Sequence, residues 1–343
     1  MAAYLSSLYP LVSLRRLEQL LGMSRTDLEA LASTAGRYYR PFDLCRAGGE
    51  EENKTRGEKE KKWRHIDNPK ARLKLLQKRI NRCILSTVPL PPAMLGAVPG
   101  MSIRKNGLLH IRQPVVVTLD LRDCFPRTSH HDVAAVLKRN FGCSQEVTSL
   151  LTRLTTFQHR IPQGAPTSAT LVNLSLLPLY DDIQELAEGS GLRFSLWVDD
   201  ITISGPAADD AIEPVIQLVQ RHDHAVRQRK VHVMRSGNSQ SVTGVAVNRK
   251  VGKPRDYRAE IRGQIIDLAD RPNPPAHEIR SVRGRIAHVR AMCPAQGDAL
   301  QRLADKVLPA EGVGGTKPRS DEIRPCKCAR KHRHRHIADR QAA

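Results

Sequence analysis

Two aspartates stand side by side in Phe194-Ser195-Leu196-Trp197-Val198-Asp199-Asp200-Ile201-Thr202-Ile203-Ser204-Gly205, between two apolar or β-branched runs. The runs read as strands, and the polar step between them as a hairpin turn. Adjacent carboxylates repel, and one is pushed toward protonation unless a cation sits between them. Hard divalent ions such as Mg2+ are bound through one or two carboxylates plus substrate phosphates. The pair therefore points to a metal site at a hairpin tip serving phosphate chemistry, against the plainer alternative of a solvated acidic turn. A third acid favours the first reading. Val115-Val116-Val117-Thr118-Leu119-Asp120 is a continuous apolar run ending in an acid. That pattern suits a central buried strand, with Asp120 at its carboxyl end, where sites in α/β proteins collect. If this strand lies beside the hairpin in one sheet, the three carboxylates converge. Such a triad can hold two Mg2+ ions, one lowering the pKa of an attacking hydroxyl and the other stabilising a leaving phosphate.

The rest of the chain must position these acids and supply a substrate. Its 343 residues suffice for roughly two domains, and 55 Lys and Arg against 35 Asp and Glu give a net charge of +20. Such a charge calls for a polyanionic partner, nucleic acid or a membrane surface. No apolar run approaches the ~20 residues of a membrane span. Arg15-Arg16 follows the apolar N-terminal stretch, the wrong order for a signal peptide. The seven cysteines are odd in number and scattered, which suits reduced thiols in a cytoplasm. Nucleic acid in the cytoplasm is thus the expected setting, with no membrane.

Residues 13–40 read as two packing helices. Residues 46–62 carry no apolar side chain beyond Ala47 and are expected as an exposed, mobile loop. An extended piece, Trp63 to Pro69, leads into a basic amphipathic helix over 69–86. Its cations Lys70, Arg72, Lys74, Lys78, Arg79 and Arg82 suggest a phosphate-contacting surface. A short helix carries Asn106 and His110 on one face; such a pair is more often structural than catalytic. Ile161-Pro162-Gln163-Gly164-Ala165-Pro166 is a loop held open by Gly and Pro, able to approach a flat ligand closely. It leads into a long helix over about 167–188, which Pro178 should kink or split. A helix over 208–221, a basic strand from Arg227 to Met234 carrying Lys230, and a final hairpin over 241–248 follow. From Pro254 onward, helices at about 255–269, 276–292 and 297–308 form a separate unit with a basic face. The tail 311–343 is cation-rich; its Cys326, Cys328, His332, His334 and His336 fit no standard zinc spacing.

In this order, Val-Val-Val-Thr-Leu-Asp120-Leu-Arg-Asp-Cys-Phe125, then Pro162-Gln163-Gly164-Ala165-Pro166-Thr167-Ser168, then Val198-Asp199-Asp200, the motifs resemble those of reverse transcriptases. Asn106-x-x-x-His110, Val242-Thr243-Gly244, Pro254-Arg255-x-Tyr257-Arg258 and Arg283-Gly284-Arg285 resemble the bacterial retron branch. The likeness runs over about residues 10–305. It implies an α+β fold, a right-hand polymerase with fingers, a palm of antiparallel sheet plus helices, and a helical thumb. The corresponding boundaries are an N-terminal helical segment at 1–48, fingers at 49–114, palm at 115–253 with some fingers elements inserted, thumb at 254–310 and a disordered tail.

It also implies residue roles. Asp120 and Asp199 would ligate Mg2+ (two ions, with Mn2+ an alternative) and Asp200 would be the third acid. Phe125 would be the steric gate against a ribose 2′-hydroxyl. Gln163 and Gly164 would contact template and incoming nucleotide, and Arg64 with Lys62 would hold the triphosphate. Lys230 would protonate the pyrophosphate leaving group, its alternative being an ordinary phosphate contact. Trp197, Arg258, Arg262, Arg283 and Arg285 would meet primer and template, while Asn106 and His110 would bind RNA or serve structure. The implied activity is copying of a structured non-coding RNA, from dNTPs, into branched RNA-linked DNA (msDNA), in antiphage defence with a separate effector protein. The alternatives are a reverse transcriptase of another bacterial defence or mobile-element group, and a non-catalytic RNA-binding scaffold. Trp197-Val198 stands where the family usually has Tyr-Ala, Arg127 where it has Ser, Gly107 where it has Ala, and Asp223 and Arg227 where it has Gly and Asn.

Overall fold

The computed structural model describes residues 4–52 and 59–309, with the side chains of 46–52 and 59–62 left aside. Lys62 and the tail cysteines and histidines therefore lie outside the described side chains. The chain forms an α+β structure divided into two compact units, each built from separate stretches of sequence.

The helical unit comprises residues 6–87 and 128–168. Its helices Leu14–Leu21 and Arg25–Ser33 begin at Ser13 and Ser24, whose hydroxyls accept from the Arg16 and Asp27 N–H groups; this satisfies donors that a helix start leaves open. Strands β1 (Tyr39–Glu52) and β2 (Lys59–Pro69) pair antiparallel. The stretch 46–62, expected as a mobile loop, is therefore largely strand backbone on either side of 53–58. A polar composition does not exclude strand there, because the pairing is carried by backbone hydrogen bonds. Helices Ala71–Cys83, His130–Phe141 and Gln145–Thr155 complete the unit. The cations of the first of these are mostly engaged. Lys70 donates to Arg37 O at 2.7 Å, Arg79 to Leu21 O at 2.5 Å, and Arg72 lies 3.6 Å from Asp27.

The sheet unit comprises residues 4–5, 88–127 and 169–309. Its sheet runs β4-β5-β3-β6, all antiparallel, with β3 Val115–Asp120, β4 Arg193–Trp197, β5 Asp200–Gly205 and β6 His232–Arg235. β3 is interior and buried at Val116, Val117 and Leu119, which is why it reads as one apolar run rather than an alternation. The helix Leu177–Gly189 packs on β4, and Ile212–Arg221 packs on that helix. The expected long helix is split into Ser168–Ser175 and Leu177–Gly189, breaking just before Pro178. The expected strand from Arg227 divides into a 3-10 turn, Gln228–Lys230, and the short β6. A small hairpin, β7 Ser241–Val242 and β8 Val245–Ala246, follows.

Helices Arg255–Ala269, Ala276–Met292 and Pro294–Val307 enclose a core of Ile261, Ile265, Leu268, Ile279, Val282, Ile286, Val289 and Leu300. Among the described residues no helix is long and apolar enough to cross a membrane. Ile286 sits fully buried on the central helix of the three. Ile286→Ala removes three buried carbons from a close-packed site and should lower stability by about 2–5 kcal/mol. Urea unfolding followed by circular dichroism measures the loss; a change under about 0.5 kcal/mol would contradict this packing.

Candidate active site

β3 and β5 pair so that Asp120 lies directly opposite Asp200, and β4 pairs with β5 so that Trp197 lies opposite Asp200. Val198 and Asp199 are the two turn residues between them. Leu121 N donates to Asp199 O at 2.8 Å, tying that turn to the residue after Asp120. Asp120 and the Asp199-Asp200 pair, distant in sequence, thus meet at one end of one sheet. Val198 holds φ at +57°. Two-residue hairpin turns need a positive φ, normally supplied by Gly or Asn; in a β-branched residue it costs on the order of 1–3 kcal/mol. Gly96 lies under this turn. An added Cβ there would come within 2.4 Å of Val198 N and 2.7 Å of the Trp197 carbonyl carbon, and its own carbonyl accepts from Asn173 Nδ2 at 2.7 Å. The turn thus has a fixed backbone floor.

The electrostatics follow from burying like charges close together. Burial first, then the charges of Asp199 and Asp120, push the Asp200 carboxyl up to about 6, against the opposing pull of Lys230. The Cys124 thiol, buried nearby, is pushed up to about 12 by burial and by the same two neighbours, Asp199 and Asp120. Two cations offset the crowding. Lys230 Nζ donates to Asp120 Oδ1 at 2.6 Å, and Arg227 lies 3.4 Å from Asp120 Oδ2 and 2.8 Å from Asp123 Oδ1. Arg227 and Asp123 were not singled out from sequence as site residues; Arg227 stood out only as a departure from the usual Asn. The donor set fits a hard divalent cation in kind, since all three groups are carboxylates. Among the described residues no three His, Cys, Asp or Glu side chains form a finished metal cage; Mg2+ is rarely held by protein alone and takes part of its shell from water and substrate phosphates. Phe125 is partly buried in the short helix Cys124–Arg127, which begins four residues after Asp120.

A second cluster lies within the helical unit. The Gln163 carboxamide, oriented to satisfy its neighbours, accepts from Arg64 Nη2 and Nε at 3.0 and 3.1 Å and donates to His65 O at 2.8 Å. Gln163 O accepts from Asp67 N at 2.8 Å, and the buried Asp67 carboxylate receives Gln163 N at 3.4 Å. Gly164 holds φ at +121°, and a Cβ there would meet Ile66 at 2.9 Å. Arg64, Gln163 and Gly164 are thereby brought together on β2 and the loop facing it. Asp67, which anchors the loop, gave no sequence signal beyond its place in an extended run.

The helical arginines divide. Arg283 pairs with Asp305 at 2.9 Å, and Arg285 pairs with Glu260 at 2.8 Å and lies over the Tyr257 ring. Arg262 is exposed and, among the described residues, in no ion pair, and Arg258 donates to Lys253 O at 3.1 Å. Asn106 and His110 are buried. Ser195 Oγ donates to Asn106 Oδ1 at 2.6 Å, so it must accept from His110 Nε2 at 2.8 Å. His110 Nδ1 then accepts from Ser204 Oγ at 2.7 Å, and Asn106 Nδ2 reaches Thr243 Oγ1 at 3.3 Å. A neutral imidazole therefore clamps β4 to β5 behind the acidic turn.

Burial, and secondarily the charge of Arg193, pulls the His110 pKa down to about 3. A base whose folded pKa lies below its unfolded value near 6.5 stabilises fully above that value, and the stabilisation is lost as pH falls toward the folded pKa. Between pH 7 and pH 4 the wild type should lose about 3 kcal/mol through this group. His110→Gln, neutral throughout, should start less stable at pH 7 but fall less steeply. Urea titrations at stepped pH test this; parallel curves for the two proteins would refute a neutral clamp.

A family model described as reverse transcriptase (RNA-dependent DNA polymerase) matches residues 53–247. The chain is 34% identical over 263 residues to the retron Mx65 reverse transcriptase of Myxococcus xanthus, a match covering 70% of this chain and 60% of that protein. It is 27% identical over 316 residues to the retron Se72 reverse transcriptase of Salmonella heidelberg, covering 88% and 80%. It is 27% identical over 300 residues to the retron Ec86 reverse transcriptase of Escherichia coli, covering 86% and 88%. The chain thus spans between three fifths and nine tenths of these curated relatives. With more than half of its length matched by the family model, the chain belongs to the reverse transcriptase (RNA-dependent DNA polymerase) family, and these curated relatives are retron reverse transcriptases.

Proposed function

We propose that the chain is a retron-type, RNA-directed DNA polymerase that copies part of a structured non-coding RNA into branched, RNA-linked single-stranded DNA. The observation that carries this reading is the cross-strand placement of Asp120 against Asp200, beside a turn that holds Asp199. A non-catalytic scaffold would have no use for three carboxylates gathered where burial first, and then the two neighbouring acids, raise the Asp200 pKa to about 6.

In this reading Asp120 and Asp199 hold Mg2+, or Mn2+ in its place, as a pair of ions, with Asp200 as the third acid. Bound there, the ions would lower the pKa of the attacking hydroxyl and stabilise the leaving pyrophosphate. Lys230, which donates to Asp120, would be the group that protonates that pyrophosphate, or an ordinary phosphate contact. Phe125 screens the sugar of the incoming dNTP against a 2′-hydroxyl. Arg64, with Lys62, holds the triphosphate, and the Gln163 amide presets the Arg64 guanidinium. Gln163 and Gly164 border the templating position, and Trp197 walls the primer end. Among the described residues Arg258 and Arg262 have no carboxylate partner, and they suit a duplex backbone; Arg283 and Arg285 must trade an intramolecular carboxylate for a phosphate to do the same. In the polymerase vocabulary, the fingers run over 49–114, the palm over 115–253 and the thumb over 254–310. The setting is the cytoplasm, with a separate effector protein and a role in antiphage defence.

The test is Mg2+-dependent dNTP incorporation on poly(rA)/oligo(dT), with and without EDTA. Asp199→Ala/Asp200→Ala should reduce synthesis at least a thousandfold while the protein stays folded; wild-type synthesis by the double variant would overturn the site assignment. Sequencing the copurified nucleic acid should return one branched RNA–DNA species. Phe125→Ala should cut discrimination between dNTPs and rNTPs at least tenfold in single-nucleotide incorporation. Unchanged discrimination would remove Phe125 from the sugar gate.

A further inference from the structure

A cavity of about 410 Å3, open to solvent, lies where the loop 236–239, the segment after β8 and the start of helix Arg255–Ala269 meet. Arg249, Lys250, Lys253, Arg255 and Arg258 line it, and no Asp or Glu does. Among the described residues none of the five is in an ion pair, whereas Arg283, Arg285 and Arg290 of the neighbouring helices are. Lys253 is the most informative. It is 8% exposed, and its Nζ donates only to Gly244 O at 3.1 Å and sits 5.2 Å from the Tyr257 ring centroid. Desolvation lowers its pKa. A nearly buried ammonium without a carboxylate is costly, and an arriving anion would repay that cost.

The walls are built rather than incidental. Asn248 Oδ1 accepts from Gln240 N at 2.8 Å, and Asn248 Nδ2 donates to Asn238 O at 2.7 Å, closing the loop. The buried Gln240 side chain donates to Gln113 O and Met234 O at 2.9 and 3.1 Å. Gln296 Oε1 accepts from Lys253 N at 3.0 Å, and its amide packs so closely over Gly252 that a Cβ there would lie 2.5 Å from it. Three side-chain amides thus fix the backbone from which the cations project. The cavity also lies at the far end of the sheet from the acids. Ser236 N donates to Pro114 O at 2.8 Å, just before β3 begins, whereas Asp120 ends β3. At ~3.3 Å per residue those ends are roughly 20 Å apart, the length of about six base-pair steps.

We propose that this cavity is a remote anchor for the sugar-phosphate backbone of the chain's nucleic-acid partner, engaged some 20 Å from the reacting end. The proposal rests on the polymerase reading above for the identity of the partner. The chemistry is phosphodiester recognition. Five cations without acids attract it, and the absence of any aromatic side chain in the lining leaves nothing for bases to stack on, so binding is indifferent to sequence. The open mouth admits a continuous strand rather than enclosing a small molecule.

The test uses the full chain and a labelled 20-nucleotide RNA stem-loop, with a DNA stem-loop of the same sequence as the second arm. Fluorescence anisotropy is followed from 50 to 300 mM KCl. Arg249→Gln/Lys250→Gln/Arg255→Gln should weaken RNA binding about tenfold or more at the lowest salt, and should reduce the slope of log K against log salt by about 2–3. Arg15→Gln/Arg16→Gln/Arg40→Gln, an equal loss of charge at exposed cations elsewhere, should change the slope by less than 1. A cavity variant that binds like wild type, or no differently from the control variant, overturns the proposal. Loss with RNA alone assigns the anchor to the RNA; equal loss with both assigns it to either backbone. Wild-type synthesis on poly(rA)/oligo(dT) is measured in parallel. Its absence would remove the polymerase reading, while the salt slopes would still decide whether the cavity holds a nucleic-acid backbone.

Discussion

Two carboxylates facing each other across adjacent antiparallel strands, Asp120 on β3 and Asp200 on β5, repel, and the surroundings of the centre answer to that repulsion. Like charges directly opposite in a sheet destabilise it. Here the pair is supported from both sides. β3 is paired along its length on the β5 side and over Val115–Thr118 on the β6 side, and the residues behind the acids are fully buried. Lys230 and Arg227 reach Asp120 from the turn that precedes β6. A slip of one residue would turn every side chain of β3 to the other face and carry Asp120 out of register with Asp200. The same register that buries Val116 and Leu119 therefore sets the acids opposite each other. Packing does the positioning, and the chemistry inherits its accuracy.

The use of positive charge follows a related logic. A net charge of +20 invites the expectation that basic helices are nucleic-acid surfaces. Much of that charge is spent on joints within the fold. Arg79 caps the helix Leu14–Leu21 by donating to Leu21 O, Lys70 closes on Arg37 O, and Arg283 and Arg285 tie the three C-terminal helices to one another. Exposed pairs of this kind contribute little stability, typically 0–1 kcal/mol each. Their effect is to decide which cations are left over, and among the described residues five of those share a cavity lined by no acid.

Much of the centre was legible in the sequence because its signals are local in kind and long-range only in assembly. An apolar run ending in Asp120, two strands around Asp199-Asp200 and a Pro178 inside a helical pattern each have one structural meaning, and the elements formed within a few residues of expectation. Three things were hidden. The ribbon of β1 and β2 carries no periodic apolar signal near its tip, so polarity read as a loop. The partners of individual cations depend on neighbours distant in sequence, so Arg227 against Asp120 and Asp67 against Gln163 could not be read from spacing. The strain at Val198 is invisible in sequence for a different reason: Trp197-Val198 reads there as a change of side chains, whereas its physical content is a β-branched residue held at φ +57° over a glycine floor.

The order of strands in the sheet has a consequence for how the protein is made. β3 leaves the ribosome about eighty residues ahead of β5 and well over a hundred ahead of β6, yet pairs with both. At 5–20 residues per second, on the order of ten seconds pass before its first neighbour exists. During that interval Val115-Val116-Val117 is an uncharged, β-prone segment with two bare edges, the kind that seeks other chains. Crowded polysomes, rather than dilute finished protein, are where this fold is most exposed to error.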